Sequence, residues 1–252
     1  MKILLCNDDG IHAQGIIALA EKLCEFAEVF VAAPDSERSA ASNSLTLSHP
    51  LRVRDADFPA PVKKAWAISG TPSDCAKIAM SNLIDTKPDF VVSGINRGPN
   101  LCVDIFYSGT VAAAFEGAFK GIPSFAVSLD DYNADASYEA AAAWGANCIK
   151  SLIDLKPLPP RVYNINVPGR KSEDIKGVKI TRSGTIDYKE QYDHRLDPYG
   201  KSYYWIMGNP EIVDNADDCD VVAVRNGYVS VTPLKADLTD HSLYSELKNR
   251  KF

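Results

Sequence analysis

Over roughly the first two-thirds of the chain, short apolar runs alternate with stretches whose apolar residues recur every three to four positions. Ile3-Leu4-Leu5-Cys6 predicts a strand, and Ile16, Ile17, Leu19, Ala20, Leu23 and Phe26 predict a helix within 12–26. Val29-Phe30-Val31-Ala32 is a second strand, ended by Pro34 and followed by a Ser-rich loop to about residue 44. Residues 45–54 and 65–69 read as strands separated by a Pro-rich turn. Thr71-Pro72-Ser73-Asp74 carries the signals of a helix start, with Pro72 at or near its first position, leading into Cys75–Leu83. Phe90-Val91-Val92-Ser93 predicts a fully buried strand, and Ser108-Gly109-Thr110 opens an Ala-rich helix to about Lys120. Ser124–Leu129 is a strand, Ser137–Leu152 a helix, and Val162–Val167 a strand that closes the run. Such alternation predicts an α/β protein in which a mostly parallel sheet is wrapped by helices.

The texture changes after about residue 182. Residues 183–215 are polar and aromatic, without helical period, and a hairpin turning at Asp197-Pro198-Tyr199-Gly200 fits them. Asp218–Asn226 has strand propensity, but Gly227 suits the position after a helix. Tyr228–Thr232 is a clean strand and 240–250 a charged final helix. The chain thus divides into a core, 1–182, and a C-terminal arm, 183–252, forming one unit.

Composition narrows the classes. The 252 residues are 46% apolar, so the chain is globular rather than disordered. No apolar run approaches the 18 or so residues of a membrane span. Five apolar residues before Asn7-Asp8-Asp9 are too few for a signal-peptide core, and a soluble, cytoplasmic protein is expected. Cys6, Cys24, Cys75, Cys102, Cys148 and Cys219 have no C-x-x-C spacing, and His12, His49, His194 and His241 form no zinc-hydrolase pattern.

Charge adds a constraint. Residues 1–160 hold 19 acidic and 13 basic side chains, whereas residues 161–252 hold 14 of each. A negative field disfavours extended nucleic acid as a partner. A small anionic substrate would need a local counter-charge there, such as a metal ion.

In doubly wound folds ligands bind beyond the carboxyl ends of the strands, so the residues that follow each strand are the candidates. The first strand is followed by Asn7-Asp8-Asp9-Gly10, adjacent carboxylates that raise each other's pKa unless a cation lies between them. The second is followed by Asp35 to Ser44, the Phe90–Ser93 strand by Gly94-Ile95-Asn96-Arg97-Gly98-Pro99-Asn100, and Tyr107-Ser108-Gly109-Thr110 opens a helix. Orphan N–H groups at a helix start, with two hydroxyls and a glycine, make a phosphate cradle. Taken singly, each segment is equally an ordinary turn or helix cap. Four at one sheet edge form an oxygen-only inventory suited to magnesium or manganese rather than zinc or copper. P-loop, G-x-G-x-x-G and G-x-S-x-G patterns are all missing from the sequence.

These residues resemble the SurE family (stationary-phase survival protein E). The resemblance is carried by Asn7-Asp8-Asp9-Gly10 with Ala13 and Gly15, by Ala33-Pro34, and by Ser39-Ala40 through Thr46. It continues in Ser69 to Cys75, Ser93-Gly94-Ile95-Asn96 with Gly98 and Asn100, Tyr107 to Ala114 with Glu116-Gly117, Asn164 to Pro168, Asp197-Pro198 with Gly200, and Gly227 to Leu234. It implies a Rossmann-like three-layer sandwich with a C-terminal hairpin and helix arm exchanged between subunits, giving homodimers or homotetramers. It also implies a phosphatase that hydrolyses nucleoside 5′- and 3′-monophosphates with one divalent cation per subunit, some members also trimming polyphosphate. By that resemblance Asp8, Asp9, Ser39 and Asn96 are the metal ligands. Asn43, Ser108, Gly109 and Thr110 contact phosphate, and Asp8, Asp9 and Asn96 form the catalytic set. The chain departs from the family in having Cys102-Val103 before Asp104, where a glycine is common, and Asp218-Cys219-Asp220 before the short helix.

Two other classes fit parts of the pattern. A non-catalytic nucleotide- or phosphate-binding module would keep Ser108-Gly109-Thr110 but has no use for paired aspartates. A metal-dependent glycosyltransferase calls for two lobes, which 252 residues hardly accommodate.

Overall fold

The computed structural model describes residues 1–250 apart from Ala134, Glu190 and Asn209. In chain order the elements are β1 (Lys2–Cys6), α1 (Gln14–Cys24), β2 (Glu28–Pro34), β3 (Val53–Asp55), β4 (Lys64–Ile68), α2 (Pro72–Ile78), β5 (Phe90–Arg97), α3 (Gly109–Phe119), β6 (Ser124–Asp130), α4 (Glu139–Ile153) and β7 (Val162–Pro168). There follow β8 (Val178–Ile180), β9 (Ile186–Tyr188), β10 (Gln191–Leu196), β11 (Ser202–Met207), β12 (Pro210–Ile212), α5 (Asp220–Arg225), β13 (Val229–Leu234) and α6 (His241–Leu247).

One large sheet runs β3-β4-β2-β1-β5-β6-β7-β13-β8. The six strands from β4 to β7 are mutually parallel, as β-branched runs joined by helices require. Alternation along β1 shows the two-sided burial directly. Ile3 and Leu5 join the cluster formed with Ile16, Leu19 and Leu23 of α1 and Ala141, Ala142 and Ile149 of α4. Leu4 and Cys6 face the other way, against Cys75 and Ala76 of α2 and Ala113 of α3. The mostly parallel three-layer architecture is therefore as expected.

Several details differ from the sequence expectation. Of residues 45–54 only the end is strand, because Pro50 removes a ladder donor and the segment before it is tied to α2 instead. The helix expected to run through Leu83 ends at Ile78 and continues as a π turn over Ala79–Leu83. The sheet does not close at Val162–Val167: β13 adds antiparallel to β7, and β8 then pairs parallel to β13. Asp218–Asn226 forms the short helix that Gly227 predicted rather than a strand, with Gly227 at φ +86°.

Strand order and helix placement together reveal an inversion. The β5–α3–β6 and β6–α4–β7 crossovers step the same way along the sheet, yet α3 and α4 lie on opposite faces. They are of opposite hand, so β6–α4–β7 departs from the other crossovers, which share one hand, as such units nearly always do. The inversion seats α4 beside α1.

The hairpin β10–β11 forms as expected, paired from Gln191↔Met207 to Leu196↔Ser202. Tyr192, Tyr204, Trp205 and Ile206 on it are exposed. No helix among the described residues is long and apolar enough to cross a membrane.

Candidate active site

β1 is the strand from which the chain winds in both directions. β2 lies on one side of it and β5 on the other, so the crevice at the carboxyl ends of β1 and β5 is the switch point where an open α/β sheet admits a ligand. Asp8 and Asp9 follow β1, and Asn96 is the penultimate residue of β5.

The turn after β1 is clamped by Asn7, whose side-chain amide donates to the Gly10 carbonyl and accepts from the Gly10 N–H, at 2.9 and 3.3 Å. That presents Asp8 inward, only 5% exposed. Its Oδ1 accepts a short hydrogen bond from the Thr110 hydroxyl in the first turn of α3. Gly109 touches it too: a Cβ there would come within 2.9 Å of both Cβ and Oδ2 of Asp8. Ser108 caps α3, its Oγ accepting from the Val111 N–H at 3.0 Å, which leaves the hydroxyl hydrogen free to donate elsewhere. The predicted cradle at 108–110 and the predicted acid pair are thus one constellation, with Asp8 at the positive end of an eleven-residue helix.

Asp9 is half-buried and accepts a long hydrogen bond, 3.4 Å, from the Arg97 N–H. Next to it, the Asn96 amide nitrogen donates to the Gly98 carbonyl at 2.8 Å, and its Oδ1 has no hydrogen-bond donor among the described residues. Burial pushes the Asp8 carboxyl above the ordinary carboxylate range, against hydrogen bonds from Thr110 that pull it down. Burial, then the Asp8 charge, pushes Asp9 up to about 6. Neither carboxylate forms an ion pair among the described residues. Glu37, which the sequence did not single out, adds a third negative charge acting on both.

This arrangement has a pH signature in the metal-free protein. A carboxyl whose folded pKa lies above its ordinary value near 3.8 favours folding at low pH and loses that contribution as pH rises through about 6. In chelator, Asp9→Asn is therefore expected to be more stable than the wild type by roughly 2 kcal/mol at pH 7.5. The difference should vanish near pH 4. Thermal melts of both proteins across that range check it, and a gap independent of pH would contradict the charged, buried pair.

The loop after β2 brings Ser39 and Asn43 to the same edge. The Arg38 N–H donates to the Asp8 carbonyl at 2.8 Å, one residue from Ser39, whose hydroxyl donates to Glu37 Oε1 at 2.5 Å. Asn43 is exposed beside Ser42, which is tied through its N–H to the Tyr107 carbonyl and through its Oγ to the Phe106 carbonyl at 2.6 Å. Neither Ser39 nor Asn43 touches Asp8 or Asp9 by a side-chain hydrogen bond. Both are held nearby by their neighbours' backbone.

Beyond its part in the family resemblance, Thr71-Pro72-Ser73-Asp74 reads in the sequence as a helix start. It is that, with a reciprocal box between Thr71 and Asp74. It is also the anchor of the preceding loop, since Asp74 accepts from the Thr46 N–H at 3.1 Å and Thr71 Oγ1 donates to the Ser44 carbonyl at 2.7 Å. Burial alone would raise Asp74, but these hydrogen bonds hold it below the ordinary range. On the other side, Asn100 knits the loop after β5 onto the sheet. Its N–H donates to Asn166 at 2.8 Å, its amide to Ser128 at 2.7 Å, and its carbonyl accepts from Asn164 and Asn166. The departure at Cys102 is resolved here as well. Cys102 sits at φ +52°, a conformation natural to glycine, and Asp220 stabilises it by accepting from its N–H at 2.9 Å.

Among the described residues no three Asp, Glu, His or Cys side chains converge into a ready-made metal centre. The donor set is two carboxylates supplemented by neutral oxygens. Two adjacent acids, one buried and one half-buried, without a cationic partner among the described residues suit a hard divalent cation.

Fold and site together define an open, doubly wound α/β protein with a cluster of oxygen donors and a helix start at its switch point. Comparison with known proteins gives the rest. The model of the family described as "Survival protein SurE" matches residues 3–190. The 5'-nucleotidase SurE of Heliobacterium modesticaldum is 45% identical over 249 residues, covering 99% of this chain and 91% of the relative. The 5'/3'-nucleotidase SurE of Erwinia tasmaniensis is 49% identical over 242 residues, covering 96% and 93%. The crystal structure of the SurE protein from Aquifex aeolicus superposes with a TM-score of 0.85 at 40% identity, covering 98% of each chain. The chain belongs to the SurE family.

Proposed function

We propose that this protein hydrolyses nucleoside monophosphates, 5′ esters and also 3′ esters, to nucleoside and inorganic phosphate, with short polyphosphate as a further substrate. The observation that carries the reading is the buried Asp8 carboxylate, which has no cationic partner among the described residues and lies against Gly109 and Thr110 at the start of α3. Relatives bearing the names 5'-nucleotidase SurE and 5'/3'-nucleotidase SurE support it.

Asp8, Asp9, Ser39 and Asn96 would hold one magnesium or manganese ion per subunit. When bound, that ion supplies Lewis-acid polarisation of a phosphoryl oxygen and a water of lowered pKa. Asp8, clamped by Thr110, is the fixed donor. Asp9 is the more accessible carboxylate and orients the attacking water or takes its proton. The helix-start N–H groups of Gly109 and Thr110 and the Ser108 hydroxyl, with Asn43 and Asn96, bind the equatorial oxygens where negative charge spreads in the transition state. Water is the nucleophile, attacking phosphorus directly. The P–O ester bond breaks and the nucleoside oxygen leaves with a proton.

The arm suits assembly of identical subunits. A two-stranded hairpin is not stable by itself, and β10–β11 carries exposed Tyr192, Tyr204 and Trp205 that a second copy would cover, as a dimer or tetramer. The working compartment is the cytoplasm.

The test is phosphate release from AMP with manganese, then with chelator. Chelation is expected to suppress release by at least roughly a hundredfold, and added manganese to restore it. A panel of nucleotides that yields no phosphate under any metal would favour the non-catalytic binding module instead.

A further inference from the structure

The groups described so far address only the phosphate end of a nucleotide. Three aromatic side chains stand exposed on the loops around the same sheet edge: Phe106 at 52%, Tyr107 at 61% and Tyr132 at 73%. Phe106 and Tyr107 precede the cradle, and their carbonyls hold the Ser42 segment. Tyr132 differs because its ring has a built seat. The loop after β6 lays its Cδ1–Cε1–Cζ side on Gly98, where a Cβ would come within 2.5 Å of Cε1 and 3.0 Å of Cδ1. Gly98 is at φ +100°, its N–H donates to the Leu129 carbonyl at 3.0 Å, and its carbonyl accepts from the Asn96 side chain. The turn that orients Asn96 therefore also fixes the ring. The Tyr132 hydroxyl has no hydrogen-bond partner among the described residues. What the residue offers is its aromatic surface. The charges of Asp104 and Asp130 act on its hydroxyl.

We propose that Tyr132 is the platform on which the nucleobase stacks, and that it biases the enzyme towards purine nucleotides because their larger π-face covers more of the ring. This rests on the nucleotidase reading above for its substrate. Losing base–aromatic stacking by alanine substitution weakens binding by roughly five- to 150-fold.

The experiment compares wild type, Tyr132→Ala and Tyr132→Phe in manganese, with AMP, UMP and ribose 5-phosphate as substrates, and titrates adenosine by calorimetry. Tyr132→Ala is expected to raise KM for AMP roughly tenfold, with a smaller rise for UMP, none for ribose 5-phosphate, and kcat within about twofold. Adenosine affinity should fall by the same factor, and Tyr132→Phe should match the wild type throughout. An unchanged adenosine affinity in Tyr132→Ala overturns the proposal. So does a KM for ribose 5-phosphate that rises in parallel, which marks a general disturbance of the loop. A wild type that releases no phosphate from AMP refutes the nucleotidase reading alone, because the adenosine titration still decides the role of Tyr132.

Discussion

Asp8→Asn is expected to lower phosphate release from AMP by at least roughly a thousandfold, about 4 kcal/mol of lost transition-state stabilisation, while the protein stays folded. The two halves of that expectation have separate causes. The substituted side chain is nearly isosteric, and its amide oxygen still accepts from the Thr110 hydroxyl, so the turn and the start of α3 keep their contact. The charge is what disappears. In the wild type that charge is buried beside Asp9 with no cation paired to it among the described residues, so its removal should leave the metal-free protein as stable as before or more so. Manganese should then fail to raise the melting temperature of Asp8→Asn while still raising that of the wild type. Turnover within tenfold of wild type in a folded Asp8→Asn would remove Asp8 from the catalytic set.

Gly109→Ala is expected to fail for a different reason. Alanine is the better helix former by about 1 kcal/mol, so propensity alone favours the change. The geometry opposes it. A Cβ at Gly109 lies 2.9 Å from Asp8 Cβ and Oδ2 and 3.0 Å from Pro72 Cγ, closer than carbon atoms approach one another. Either α3 retreats from the acid turn or Asp8 leaves Thr110. A displacement of about 1 Å at a reacting centre costs on the order of a hundredfold in rate, and kcat should fall by that much or more. The melting temperature should fall with it, because Pro72 opens α2 on the far side of the contact. Steady-state kinetics together with a thermal melt check both. Normal kcat in Gly109→Ala would mean that the helix start does not abut the acid pair.

Much of this site was legible because it is local. Asp8-Asp9-Gly10 follows an apolar run, and Ser108-Gly109-Thr110 precedes an Ala-rich one, so strand end and helix start could each be read from neighbouring residues. The supports were harder to see. Nothing near Thr46 announces that its N–H will find Asp74, and nothing near Cys102 announces Asp220, 118 residues away. Such bonds join segments through the folded sheet, and a polar loop reads the same whether or not it is anchored. Glu37 was passed over for that reason, as one acid in a charged loop. The strand expected over residues 45–54 failed similarly: its propensity was real, but tethering to α2 took the segment away from the sheet.

By itself the sequence determined the alternation of strands and helices, the face that each strand residue turns to, and the chemistry waiting at each strand end. These follow from periods of two and 3.6 residues and from side chains that cap or turn the local backbone. Period and capping are silent about which strands lie side by side. Only the tertiary structure put β1 next to β5, so that Asp8, Asp9 and Asn96 share one crevice. Only it set α4 on the face of α1, inserted β13 antiparallel beside β7, and laid Tyr132 on Gly98. Each of those choices is settled by burial and hydrogen bonding between residues far apart in the chain, and so no local pattern records it.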